Sequence, residues 1–435
     1  MRIYTYPSAA AQKRLAAIAG RGLNFKKKDL LAVTRILKDV RKNGDKALIA
    51  YTHRFDSKMV SADTIRVAGD EIRAAAKHVS RSVRRSLERA AAQIESFHRR
   101  QVANSWIDTT RDGVLLGQLV QPVDTAGIYV PGGKGGRTPL VSSVLMGAIP
   151  ARIAGVKRIV MLTPPTEEGT VNPHLLAAAR IAGVDTVCRI GSAWAIGALA
   201  YGTETVPRAD VIVGPGNIFV TLAKKIVAGD VGIDMIAGPS EILVIADRSA
   251  PPGYLAADLL SQAEHDPLAS AVLATDSKQV AREVSAAVDE QLGQLAREDI
   301  ARESIACYGA IFVVPDIGTA VELANRIAPE HLELQVADPL EWVGCIRNAG
   351  AVFMGTFTPE PVGDYIAGPN HVLPTAGTAR YASALSVEHF VKKTSLIRYS
   401  REAFRAEAAD IVRLAEIEGL GAHANAVRIR LKGSD

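Results

Sequence analysis

Four short segments of this chain carry residue types able to move protons or hold a metal. In Ser261-Gln262-Ala263-Glu264-His265, Gln262 and His265 are three residues apart. On a helix that spacing puts both on one face. An amide oxygen and an imidazole one turn apart can share a divalent metal, and a capped helix end with a satisfied histidine fits the pattern as well. In Ala328-Pro329-Glu330-His331 the proline breaks a preceding helix, so Glu330 and His331 are expected in an exposed turn. An adjacent carboxylate and imidazole form an acid/base couple near neutral pH, although Glu-His pairs are common on surfaces. The irregular stretch from Gly363 to Thr375 holds Asp364, Asn370 and His371 among turn residues. Asp364 is a hard ligand suited to zinc or manganese, and a plain surface loop is the competing reading. Last, Glu418-Gly419-Leu420-Gly421-Ala422-His423 exposes Glu418 and His423 where two glycines interrupt a terminal helix. An ordinary helix–helix turn would look the same.

The elements that must position these residues alternate. Strands are expected at Thr125–Val130, 158–162, 184–190 and 209–213, with helices at 174–181, 193–200 and 218–227 between or after them. A second series follows: strands at 242–246, 270–275, 310–314 and 351–354, and helices at 253–262, 279–295 and 317–327. Alternation of this kind means βαβ units and parallel sheets. Two strand-to-helix turns are glycine-rich, Pro131-Gly132-Gly133 and Gly214-Pro215-Gly216-Asn217. The second opens a helix whose amides could receive a phosphate or ribose. Neither is a G-x-G-x-x-G fingerprint, because Phe219 occupies the third glycine position. The fold class is α/β: two parallel-sheet, incomplete Rossmann-like subdomains with N-terminal helices and a C-terminal helical tail. We expect an N-terminal arm (1–119) packing on the second subdomain, subdomains at 120–237 and 238–380, and a tail at 381–435. Helices are expected at 29–43 and, as one long element, 70–96.

Composition excludes several classes. The 435 residues are 48% hydrophobic and 22% charged, so the chain is neither disordered nor fibrous. Net charge is +5, and the longest basic run is Lys26-Lys27-Lys28, which gives no basic stripe for nucleic acid. Cys188, Cys307 and Cys345 form no CxxC pair, which argues against a disulfide framework or thiolate zinc site. The longest charge-free apolar stretches fall short of the roughly 20 residues of a membrane span. No signal-peptide core stands at the N-terminus, so a cytoplasmic location is expected, without membrane partners.

Taken together and in order, these segments resemble the histidinol dehydrogenase family. The set includes Gly127-Ile128-Tyr129-Val130-Pro131-Gly132-Gly133, Gly214-Pro215-Gly216-Asn217, Ala237-Gly238-Pro239-Ser240-Glu241, Ser261–His265, Ala328–Leu332, Gly363-Asp364-Tyr365, Asn370–Thr375 and Glu418–His423. The resemblance implies oxidation of L-histidinol to L-histidine through an aldehyde, with two NAD+ and one zinc (Zn2+) per site. By motif position it implies Gln262, His265, Asp364 and His423 as zinc ligands. The same residues, with Ser240, His331 and Glu418, would bind substrate, and Glu330 and His331 would be the catalytic pair. Tyr129 and Asn217 match NAD-contacting positions. Trp194 replaces a glutamine that contacts NAD in many members, so it is expected to pack against the cofactor or weaken its binding. The turn Lys134–Thr138 is longer than expected, and its Lys134 and Arg137 could serve an anionic substrate. The family forms a homodimer with shared active sites, which would carry Glu418 and His423 into the neighbouring subunit. A sister dehydrogenase of another small polar or anionic alcohol and, further off, a zinc hydrolase are the alternatives.

Overall fold

The structure, a computed structural model of the chain, describes all residues except 23–24, 76, 133–137 and 433–435. The chain forms two compact units, Met1–Gln101 with Val123–Phe390, and Val102–Pro122 with Val391–Asp435. Its strands are β1 (Ile3–Thr5), β2 (Trp106–Asp108), β3 (Val114–Pro122), β4 (Thr125–Tyr129), β5 (Arg158–Thr163), β6 (Thr186–Arg189) and β7 (Val211–Val213). They continue with β8 (Gly232–Ile233), β9 (Glu241–Ala246), β10 (Ser270–Thr275), β11 (Ala310–Val313), β12 (His331–Gln335), β13 (Ala351–Met354) and β14 (Val391–Tyr399).

The first unit holds two parallel sheets. The smaller runs β6-β5-β4-β7-β8 and the larger β1-β11-β10-β9-β12-β13. In each, the chain winds outward from a central strand, returns, and winds the other way. The reversal falls between β4 and β7 in the smaller sheet and between β9 and β12 in the larger. Such switch points open crevices for ligands in α/β sheets. Local chemistry sets the helix ends around them. Asn217 Oδ1 accepts from the Phe219 and Val220 amides at 3.0 and 3.2 Å, starting the helix Ile218–Val227. Asp316 does the same for Ile317–Ile327 through the Thr319 amide at 2.7 Å. Gly214, at φ 115°, lets β7 turn into its helix, and a Cβ there would run into the Tyr129 carbonyl.

The N-terminal arm departs from expectation. Among the described residues of the arm, β1 and the helix Ala9–Ala19 pack on the larger sheet, the helix through Ala11, Leu15 and Ile18. The helix Lys27–Phe55 buries Val33, Leu37 and Val40 with Trp194, Ile196 and Leu199 of the smaller sheet's layer. The span 70–96 is not one helix but two, Gly69–Ala75 and Arg81–His98. Ser80 caps the second by accepting from the Val83 amide, a local stop that the alanine- and arginine-rich composition conceals. Its apolar stripe, Leu87, Ala91 and Ile94, also packs in the smaller sheet's core.

In the second unit β14, β3 and β2 form an antiparallel sheet, followed by helices Arg401–Ile417 and Gly421–Lys432. β14 and the helix Glu298–Tyr308 of the first unit were not evident from the sequence. Lys392, Lys393 and Arg398 interrupt the apolar pattern of β14.

Burial also makes a carboxyl of the N-terminal arm sensitive to pH. Asp56 follows the helix Lys27–Phe55, and its Oδ2 is buried without a hydrogen-bond partner among the described residues. Burial pushes this group from 3.8 up to about 7. The folded protein therefore keeps a proton that the unfolded chain releases, and stability declines as pH rises through that window. Asp56→Asn removes this dependence. Its melting-temperature gain over wild type is expected to be larger near pH ~8 than near pH ~5. Equal gains at both would refute it.

Candidate active site

The acid/base pair is set by a short break between helix and strand. The helix Ile317–Ile327 ends on Ala328, which adopts the left-handed region (φ 55°, ψ 61°) at a cost of about 1 kcal/mol. Pro329 follows, and the chain enters β12 at His331. The expected exposed turn is therefore corrected. Glu330 and His331 are only 7% and 3% exposed, because β12 lies between β9 and β13 in the larger sheet. At Gly350 a Cβ would meet the Glu330 carbonyl at 2.5 Å, so the neighbouring chain passes close.

Glu241, the first residue of β9, grips both groups. Its amide donates to Glu330 Oε2 at 2.9 Å, and the Glu330 amide donates back to Glu241 Oε2 at 3.3 Å. His331 Nδ1 lies 3.0 Å from the Glu241 carbonyl oxygen. A carbonyl only accepts, so Nδ1 carries the hydrogen and Nε2 keeps its lone pair. Burial lowers the imidazole to about 4, against the pull of the Asp364 charge, so the ring is neutral at pH 7. Burial pushes Glu330 well above the ordinary carboxylate range. The Glu241 amide draws it back, and the charges of Glu241, Asp364 and Glu360 raise it further.

Behind the pair runs a row of buried carboxyls. Gln335 Nε2 donates to Asp258 Oδ2 and Glu333 Oε2, both at 3.1 Å, and Glu333 Oε1 accepts from the Glu360 amide at 3.0 Å. Burial, then Asp364, pushes Glu360 up to about 8. His331, Glu360 and Asp364 each offer one ligand atom, all within 4.8 Å of one another. A cavity of about 470 Å³ opens beside them, with His331, Asp364 and His371 facing apolar Phe97, Phe353 and Leu385. Gln262 Oε1 and His371 Nε2 are buried without hydrogen-bond partners among the described residues.

The geometry therefore gathers Glu330, His331 and Asp364 in one unit. His265, exposed one turn past Gln262, is near enough for its charge to lower His331. Ser240 directly precedes Glu241, and its carbonyl accepts from the Ser270 amide at 3.0 Å. Glu418 and His423 are exposed in the second unit. Glu360 carries no signal in the sequence except its four-residue spacing from Asp364. Glu241 and Arg21 gain meaning only from contacts across the fold.

At the smaller sheet's switch point, Tyr129 ends β4 and Asn217 follows β7. The Tyr129 hydroxyl is buried and accepts from the Ser192 amide at 3.0 Å. The turn after β7 is clamped. Buried Lys224 pairs with Asp234, Lys224 Nζ donates to the Gly214 carbonyl at 2.9 Å, and Asp234 accepts the Gly214 amide at 2.8 Å. Trp194 stacks on Tyr51 and Phe55, with centroids 5.8 and 5.6 Å away, and its Nε1 donates to Thr52 Oγ1 at 3.2 Å. Its ring is thus held by the helix Lys27–Phe55. Lys134 and Arg137 lie outside the described residues.

Comparison with known proteins places this geometry in context. The family model described as histidinol dehydrogenase matches residues 22–431. Histidinol dehydrogenase of Desulfotalea psychrophila is 55% identical over 401 residues, 92% of each chain. That of Syntrophotalea carbinolica is 52% identical over 434 residues, covering 100% of both. The crystal structure of histidinol dehydrogenase from Elizabethkingia anophelis aligns with a TM-score of 0.92 at 40% identity, over 99% of this chain and 98% of that one.

Proposed function

This chain belongs to the histidinol dehydrogenase family of NAD-dependent oxidoreductases, and from that membership we propose that it oxidises L-histidinol to L-histidine through the aldehyde, with two NAD+ and one zinc per site. The reaction is the last step of histidine biosynthesis. The observation that carries this reading is the buried Glu330–His331 couple, locked against Glu241 beside Asp364.

The residues fit a divalent cation. Gln262 Oε1 is a buried oxygen lacking a partner among the described residues. Glu330 and Glu360 are carboxyls whose pKa values are raised by burial and by neighbouring negative charge, a condition that a cation relieves. We assign the zinc to Gln262, His265 and Asp364, with His423 supplied by the C-terminal unit of a second copy in a homodimer. When bound, zinc would supply Lewis acidity toward the substrate's nitrogen donors, and NAD+ would supply the hydride acceptor. The subdomain 120–237 is assigned to NAD+, with Tyr129 and Asn217 at its switch point. Trp194 belongs to the core of that subdomain, buried against the helix Lys27–Phe55. The subdomain 238–380 is assigned to the metal and proton transfers.

The chain's own groups then divide the proton work. His331, neutral and holding its hydrogen on Nδ1, takes the alcohol proton at Nε2. Glu330 takes a proton from the water that attacks the aldehyde carbon. Ser240 and Glu418 orient the substrate. We place the enzyme in the cytoplasm. No helix among the described residues is long and apolar enough to cross a membrane.

The test is NADH formation from L-histidinol and NAD+, with zinc and with a chelator. Two NADH per histidinol, histidine as product, and rate lost on chelation and regained with zinc are expected. Folded, zinc-loaded protein that binds NAD+ yet turns over no histidinol would sink the proposal.

A further inference from the structure

Glu241 has a second buried partner, and it comes from far away in the chain. Arg21 lies just past the helix Ala9–Ala19, 220 residues before Glu241. Its Nη2 donates to Glu241 Oε1 at 2.6 Å, and the two side chains are 6% and 7% exposed. The guanidinium is itself held. Nη1 donates to the Leu268 carbonyl at 2.9 Å, and the group sits 5.2 Å from the centre of the Tyr308 ring. The same Glu241 Oε1 accepts the Ala376 amide at 3.1 Å, and Oε2 accepts the Glu330 amide. One carboxylate thus joins Arg21, the loop after β13 and the acid/base segment.

We infer that Arg21 is a positioning residue for Glu330 and His331, acting through Glu241; the inference rests on the assignment of those two as the reacting pair. A buried carboxylate is stable only beside a compensating charge with its oxygens hydrogen-bonded. Arg21 provides the charge, and no other cation is paired with Glu241 among the described residues. Without it Glu241 must leave its pocket or become neutral. Either change loosens its grip on the Glu330 amide and shifts the carbonyl that holds His331 Nδ1. Gln262 and Asp364 make no bond to Arg21, so substrate affinity should change much less than the chemical step.

Three variants test this: Arg21→Leu, Arg21→Lys, and Arg21→Leu combined with Glu241→Gln. Arg21→Leu is expected to lower kcat ~30-fold while KM for histidinol moves less than ~3-fold. Arg21→Lys keeps the charge and should recover most of the loss. The double variant removes both charges while an amide oxygen still accepts, so it should exceed Arg21→Leu in melting temperature and in kcat. A second readout does not depend on turnover: the Nδ1–H proton resonance of His331, followed by NMR. It should persist in wild type and Arg21→Lys and be lost or shifted in Arg21→Leu. A kcat within twofold of wild type in Arg21→Leu, or an unchanged His331 resonance, would overturn the inference. So would a double variant no better than the single one. If Arg21→Leu does not fold, Arg21→Lys and the double variant decide by the same readouts. Wild-type protein inactive on histidinol but showing the expected resonance changes would count against the proposed reaction and for the positioning role.

Discussion

His331→Asn is expected to lower kcat for histidinol oxidation by about 10³-fold, within the range for loss of a general base. Asparagine keeps a hydrogen-bonding group of modest size but has no lone pair that can accept the alcohol proton near neutral pH. The same change should stabilise the protein in acid. Burial holds the folded imidazole near 4, against 6.5 in its ordinary state. The unfolded chain therefore binds more protons between those values. Stability rises with pH through that window and is level above it. Asparagine removes this dependence. Its melting temperature relative to wild type should therefore rise as pH falls below ~6, while activity stays low at every pH. Thermal denaturation at two pH values with steady-state rates checks both halves. Near wild-type kcat would end the assignment of His331 as base.

Glu330→Gln is the second large effect, and it should divide the reaction. Glutamine is nearly the same shape, and its amide oxygen can still accept the Glu241 amide that now meets Glu330 Oε2 at 2.9 Å. It cannot take a proton from water. With the aldehyde offered directly, its oxidation should fall by about 10²–10⁴-fold. With histidinol, the NADH yield per substrate consumed should drop from two toward one as aldehyde accumulates. Product analysis beside NADH absorbance separates these outcomes. Two NADH per histidinol at an undiminished rate would mean that another group activates the water.

Much of the scaffold is legible from residues close in sequence. The bounds expected for Ile218–Val227, Ser270–Thr275 and Ile317–Ile327 coincide with the elements found. Asn217 and Asp316 cap the two helices with their own side chains. Such contacts span two or three residues, so a linear reading contains them. The glycine-rich turn after β7 and the α/β alternation are local in the same sense.

The site depends on pairings that no local pattern encodes. β12 carries Glu333 and Gln335 between its apolar residues, a pattern that suits a half-exposed strand, yet all five of its residues are buried. Gln335 Nε2 is partnered by Asp258 and Glu333, and Glu333 Oε1 by the Glu360 amide, so two of the partners lie on other elements. The burial of His331, and hence its neutral ring, follows from the order β9-β12-β13 in the sheet. The reach of Arg21 to Glu241 likewise requires the larger sheet and the N-terminal segment to be assembled. Residue types and short spacings therefore determined which groups this protein has for chemistry. Tertiary structure decided their solvation, tautomer and partners, because each of those is set by atoms on other elements, from tens of residues to more than two hundred away along the chain.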